Sequence, residues 1–296
     1  MRTFVFTCLL LLGMTTFAQD ANFHIYLCLG QSNMEGNAKV EEQDTVAVDS
    51  RFQVLAAVDC PNLGRTKGNW YKAVPPLARC YTGLTPGDYF GRAMVANLPS
   101  NVRVGIINVA VGGCRIELFD KDNYQSYVET SPDWLKNMVK EYGGNPYARL
   151  VEMAKLAQKD GVIKGILLHQ GESNTNDKDW PLKVKGVYDN LLNDLGLSAA
   201  NVPLLAGEVV HADQNGVCAS MNTIIDSLPQ VIPTAHVISS AGCPAAFDNL
   251  HFTAEGYRML GARYAAKMLS ILGYGDWTSA QNMKLWYNRP AQDWLE

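Results

Sequence analysis

Four short stretches hold most of the side chains that could do chemistry: GQSNMEG (30–36), VGGCRIE (111–117), HQGESN (169–174) and FDNLHFTAEG (247–256). Ser32 offers a hydroxyl, which is a weak nucleophile until a base takes its proton. His251 can be that base. Asp248, three residues earlier in the same turn, can hold the other ring nitrogen, so the three form a nucleophile–base–orienter set. Donors for a developing oxyanion would be the Ser32 N–H, a backbone N–H in Gly112–Gly113 and the side-chain amide of Gln170, since glycine permits close backbone approach. Gln31, Asn33, Glu172 and Asn174 stand beside these groups as supporting residues. Glu172 competes with Asp248 as the acid, and Asp248 is preferred because its tether to His251 is short. His169 is expected to brace the third cluster through a hydrogen bond. Taken singly, each cluster also reads as an ordinary turn or helix cap.

The elements around these clusters alternate. FHIYLCLG (23–30), VRVGIINVA (102–110), GVIKGILLH (161–169), PLLAGEVV (203–210) and HVISS (236–240) read as buried strands. Between them, residues 87–98, 146–158, 181–195 and 253–272 carry helical spacing; in the second, Leu150, Met153, Ala154 and Ala157 recur at offsets of three and four. This alternation predicts βαβ units, a parallel sheet and helices on both faces. The first three clusters each follow a strand, and ligands of such sheets bind outside the carboxyl ends of the strands. Residues 38–85, with Pro61, Pro75, Pro76, Gly64, Gly68 and Gly83, read as a long irregular excursion, and 118–145 as a second. No linker divides the chain, so residues 19–296 are expected to form one domain.

The 296 residues are 47% hydrophobic and 18% charged, with a formal net charge of −4. That composition excludes a disordered chain, and the lack of any basic run excludes the electrostatic footprint of nucleic-acid binding. Residues 1–18 have the layout of a secretory signal: Arg2, an apolar run from Phe4 to Met14, then small residues up to Ala18. Cleavage there would give an exported (periplasmic or extracellular) protein with no membrane insertion. Cys8 would leave with the signal. Of the six remaining cysteines, Cys60 and Cys80 are the preferred disulfide and Cys28 is expected to be a buried thiol. Glu208 and His211 share an E-x-x-H spacing without an evident third ligand, so no metal is expected. Trp70, Tyr71, Trp134 and Trp180 are candidates for stacking on sugar rings or for packing. Oligomeric state is not readable from the chain.

The blocks G30-Q31-S32-N33-M34-E35-G36, V111-G112-G113, H169-Q170-G171-E172-S173-N174 and D248-N249-L250-H251 resemble, in order, the blocks of the SGNH hydrolase superfamily, in the variant that reads GQSN in place of GDSL. The set is similar to the branch of sialate O-acetylesterases and carbohydrate esterase family six, which includes acetyl xylan esterases. The resemblance implies a flavodoxin-like three-layer α/β sandwich with a central parallel sheet, no cofactor, and hydrolysis of acetyl esters on carbohydrate. It further implies Ser32 as nucleophile, His251 as base, Asp248 as its partner, and Gly112 or Gly113 with Gln170 completing the oxyanion hole. An Asn usually stands where Gln170 does, and Asn174 competes for that role. A sialate O-acetylesterase, or a carbohydrate-binding protein on an inactive esterase fold, are the other readings.

Overall fold

The computed structural model describes residues 19–275. The expected signal, 1–18, and its Cys8 lie outside the described residues, as do 276–296. The sheet has seven strands, β1 (Asp20–Gly30), β2 (Phe52–Leu55), β3 (Trp70–Lys72), β4 (Arg103–Ala110), β5 (Gly161–His169), β6 (Leu204–Gly207) and β7 (Ala235–Ile238), in the order β3-β2-β4-β1-β5-β6-β7. All neighbours are parallel except β3, which runs antiparallel to β2 at the edge. The five strands read from the apolar runs are β4-β1-β5-β6-β7. Numbered among themselves they follow the flavodoxin-like order 2-1-3-4-5.

Both faces of the sheet are covered, which is why its strands are almost continuously apolar. Along β1, Phe23, Ile25, Leu27 and Leu29 enter one core, while Tyr26 and Cys28 enter the other. The helices used below are α1 (Ser32–Glu35), α2 (Pro86–Asn97), α3 (Tyr124–Thr130), α4 (Asp133–Glu141), α5 (Pro146–Ala157), α6 (Trp180–Leu195) and α7 (Ala254–Ile271). Leu135, Val139, Leu150, Met153 and Val184 from α4, α5 and α6 fill the first core; Phe90 and Met94 of α2 with Leu260 and Tyr264 of α7 fill the second. No helix among the described residues is long and apolar enough to cross a membrane.

Both excursions contain more structure than periodicity indicated. Residues 38–85 supply β2 and β3, whose four and three residues are too few for a pattern to register among the prolines and glycines. Phe52 and Val54 are buried because pairing with β4 places them in the core, so tertiary contact decides the conformation. Residues 118–145 contain α3 and α4. The latter buries Leu135 and Val139, one turn apart, each side chain worth roughly 1.5–3 kcal/mol of burial. The first excursion is stapled by a Cys60–Cys80 disulfide, the pairing expected. Closing a loop of that length stabilises by about 3 kcal/mol in the chain-entropy account. Cys28 is a buried free thiol.

Candidate active site

The parallel register brings three of the four polar clusters to one level. Gly30 lies opposite Ala110 of β4 on one side and His169 of β5 on the other, so the three chains leave the sheet together. Gly30 has φ +149°, and a Cβ there would come within 2.0 Å of the His169 carbonyl oxygen, so only glycine lets the chain turn this close to β5. The turn starts α1, with Ser32 at its first position. The fourth cluster arrives from the loop before α7, whose Thr253 caps the helix by accepting from Gly256 N–H.

His251 Nε2 lies 2.8 Å from Ser32 Oγ, and His251 Nδ1 lies 2.7 Å from Asp248 Oδ2. The carboxylate fixes Nδ1 as the protonated nitrogen, which leaves the Nε2 lone pair to accept the Ser32 proton. Asp248 Oδ1 also accepts the backbone N–H groups of Leu250 and His251, each at 3.0 Å. Burial works to raise the Asp248 pKa, but these bonds and the imidazole outweigh it and hold the carboxyl below its ordinary value. Asn249 closes the turn at φ +53°, a left-handed conformation that asparagine tolerates. Glu172 takes another place. It accepts from Asn33 Nδ2, lies 3.8 Å from His169 Nδ1, and makes no hydrogen bond to His251. Among the described residues its Oε2 is buried without a hydrogen-bond partner.

Two expected oxyanion donors are committed elsewhere, which corrects the reading from sequence. Gly112 N–H donates to Glu35 Oε1 at 3.1 Å. Gln170 Nε2 lies 2.8 Å from Asn174 Oδ1, 3.0 Å from Gln31 Oε1 and 3.2 Å from the Cys114 carbonyl, and its Oε1 accepts from the Trp180 indole, so both amide hydrogens are spent inside the protein. Asn174 is likewise internal: Oδ1 accepts from Ile116 N–H at 2.9 Å, and Nδ2 donates to Glu117 and Asp177. By contrast, no acceptor among the described residues takes the Ser32 or Gly113 N–H. Gln31 Oε1 accepts from Gln170 and from Ser173 N–H, which orients the amide and leaves its Nε2 without an acceptor among the described residues.

The rest of the site is scaffold. Asn33 is fully buried, donates to Glu172 and to the Leu250 carbonyl (3.1 Å), and accepts from Tyr257 (2.6 Å), so it grips the loop that carries His251. His169 donates from Nε2 to the Glu208 carbonyl at 2.9 Å, and burial lowers its pKa. The Glu208 carboxylate accepts from Ser239 and Ser240, and His211 Nδ1 accepts from Asp213 N–H, so the E-x-x-H pair serves loop structure. Trp180 is buried, Trp70 packs on Phe23, and Tyr71 accepts from Thr66 N–H. Trp134 is 53% exposed, with its ring 2.6 Å from where a Cβ on Gly113 would stand. Sequence reasoning missed Glu35, because a single carboxylate at the end of a four-residue helix carries no pattern.

The family model for carbohydrate esterase, sialic acid-specific acetylesterase, matches residues 22–270. A probable carbohydrate esterase of Arabidopsis thaliana is 25% identical over 264 residues, covering 83% of this chain and 90% of that protein. A crystal structure of that Arabidopsis protein superposes with a TM-score of 0.65 at 21% identity, covering 85% of this chain and 99% of its own. NanS follows with a TM-score of 0.61 at 15% identity, over 87% of this chain and 99% of its own. A carbohydrate acetylesterase of Xanthomonas citri has a TM-score of 0.58 at 18% identity, over 83% of this chain and 56% of that one. The chain therefore belongs to the carbohydrate esterase family of the sialic acid-specific acetylesterases, and is a carboxylic ester hydrolase.

Proposed function

We propose that this carbohydrate acetylesterase removes O-acetyl groups from neutral sugars, as acetyl xylan esterases do, through an acyl-enzyme on Ser32. Ser32 Oγ attacks the acetyl carbonyl while His251 Nε2 takes its proton, and Asp248 steadies the imidazolium. The oxyanion receives the N–H groups of Ser32 and Gly113 and the Nε2 amide of Gln31. A donor of this kind contributes about 2.7–4 kcal/mol to transition-state stabilisation. His251 then protonates the departing sugar oxygen. Water, deprotonated by the same imidazole, releases acetate from Ser32. The observation that carries this reading is the pair of contacts at 2.8 and 2.7 Å linking Ser32, His251 and Asp248.

Charge favours a neutral sugar. Arg79, Arg115 and Lys183, the cations around the strand-end clusters, all stand within 4 Å of carboxylates: Glu35 and Glu141, Glu117 and Asp177, and Glu117 and Asp177 again. O-acetyl sialic acid is the second reading. Arg115 supports it, being about half exposed and held only at 3.8 and 3.9 Å, so it could turn to a substrate carboxylate. The leader-like residues 1–18 support export, to be checked by whether the purified extracellular or periplasmic chain begins at Gln19.

The test is acetate release from acetylated xylan and from O-acetyl sialic acid, by wild type and Ser32→Ala. Release from xylan that Ser32→Ala abolishes, with unchanged circular dichroism, is the expected result. Release from the sialate alone moves the assignment to the second reading. Turnover that survives the substitution rejects the nucleophile, and sugar binding without turnover by wild type rejects an enzyme.

A further inference from the structure

Glu35 is 8% exposed and closes α1, three residues after Ser32. One of its oxygens, Oε1, accepts the Gly112 N–H at 3.1 Å and the Nε of Arg79 at 3.2 Å, with Arg79 Nη2 closer still. The other, Oε2, lies where a Cβ on Gly112 would come within 2.9 Å, so the carboxylate rests directly against the glycine backbone. Arg79 reaches on from Glu35 to Glu141 of α4, at 2.5 Å. It also precedes Cys80, whose disulfide to Cys60 closes the first excursion. One carboxylate thus ties together the nucleophile helix, the turn after β4 and a stapled loop.

That turn, Val111–Cys114, closes with a bond from Cys114 N–H to the Val111 carbonyl at 3.2 Å, and Gly113 sits in it at φ +69°. The Gly112 N–H belongs to the Val111–Gly112 peptide and the Gly113 N–H to the next one, so Glu35 fixes the first plane through Oε1 and, with Oε2 against Gly112, restricts the rotation that sets the second. We propose that Glu35, held by Arg79, is a positioning residue that orients the Gly112–Gly113 peptide so that Gly113 N–H faces the acyl oxygen on Ser32. This inference rests on the reading of Ser32 and Gly113 given above. A buried ion pair is a poor source of stability by itself, because desolvation offsets its Coulombic gain. Its use here is geometric, and misplacing catalytic groups by about 1 Å costs on the order of 10²-fold in rate.

The experiment compares Glu35→Ala, Glu35→Gln, Arg79→Met and Ser32→Ala in the full chain, with 4-nitrophenyl acetate as substrate. Alongside turnover it measures the rate of inactivation by a 4-nitrophenyl phosphonate, whose tetrahedral adduct puts an oxygen in the oxyanion hole. Glu35→Ala is expected to lose about 10²-fold in kcat with KM within about threefold, and phosphonylation is expected to slow by the same factor. Glu35→Gln keeps an oxygen for Gly112 N–H and should recover to within about tenfold of wild type. Arg79→Met should lower kcat about tenfold at unchanged KM; should Glu35→Ala fail to fold, this variant carries the test. Wild-type kcat in folded Glu35→Ala or in Arg79→Met overturns the proposal, as does a Glu35→Gln no more active than Glu35→Ala. Turnover by Ser32→Ala would overturn the underlying reading instead, so the two failures are distinct.

Discussion

The two halves of the catalytic machinery are built by different means. On the nucleophile side, Ser32, Asn33 and Glu35 are all buried, and their bonds reach Gly112, Glu172, Leu250 and Tyr257, residues far away in the chain. On the base side, Asp248 is about a third exposed and Phe247 wholly so, and the geometry of His251 comes from Asp248 bonding Nδ1 and two backbone N–H groups within its own turn. The half that attacks is positioned by the whole sheet. The half that moves protons takes its Asp–His contact from four consecutive residues, with the Asn33 amide and the Val217 N–H holding that turn through the Leu250 and Asn249 carbonyls. A local turn can be substituted without disturbing the core, whereas changes around Ser32 propagate into the scaffold.

The largest effect that separates the halves is expected from Asp248→Asn, an isosteric change that upsets the imidazole tautomer but not the fold. Loss of an orienting acid with geometry retained costs up to about 10⁴-fold in kcat. Glu172→Gln, on the scaffold side, should cost far less turnover, because Glu172 bonds Asn33 and not His251. Both variants should unfold thermally near wild type. If Glu172→Gln were the more inactive of two equally folded proteins, the triad acid would be Glu172.

A smaller effect, at the joint between the halves, is expected from Asn33→Leu. The substitution removes the donors to Glu172 and Leu250 and leaves a buried carboxylate without its partner. Stability should fall by about 1–3 kcal/mol for the unsatisfied group, and kcat by about 10-fold as the His251 loop loses its grip. Urea unfolding together with steady-state kinetics would measure both. Wild-type values in both assays would show that the base side holds itself in place unaided.

The same contrast explains what could be read in the chain. Asp248 and His251 were legible because their spacing alone sets the contact. The five strands β4-β1-β5-β6-β7 were legible because burial on both faces imposes long apolar runs. The strands β2 and β3 were not: Phe52–Leu55 becomes a strand only because β4 lies beside it. Gln170 looked like a donor because its type and place match one. Its commitment to Gln31 and Asn174, and that of Gly112 to Glu35, follow from packing among three loops that no spacing encodes. The nucleophile side was legible as a motif and illegible as a network.

The remaining expected effect is one of pH, on stability and not on turnover, and it marks the nucleophile side as the seat of a titration. Asp88 caps α2 by accepting the Thr85 N–H at 2.9 Å, and the Thr85 hydroxyl donates to the Met34 carbonyl of α1 at 2.7 Å, so Asp88 sits one step behind the nucleophile helix. Burial pushes the Asp88 pKa up to about 8, against the opposing pull of the Thr85 N–H and of Arg92. A carboxyl whose folded pKa lies above its unfolded value binds more protons in the folded state. Its contribution to stability is therefore complete below about pH 4 and is lost as pH rises through about 8. The loss can reach about 1.4 kcal/mol per pH unit across that window. Asp88→Asn keeps an oxygen for the Thr85 N–H and carries no charge at any pH, so the difference in unfolding free energy between variant and wild type should move in favour of the variant from pH 5 to 8. Denaturant titrations at several pH values would read that difference directly, since histidines buried elsewhere contribute equally to both proteins. A difference independent of pH would show that Asp88 is already ionised in the folded protein, and the nucleophile side would then lack a proton-linked element of its own.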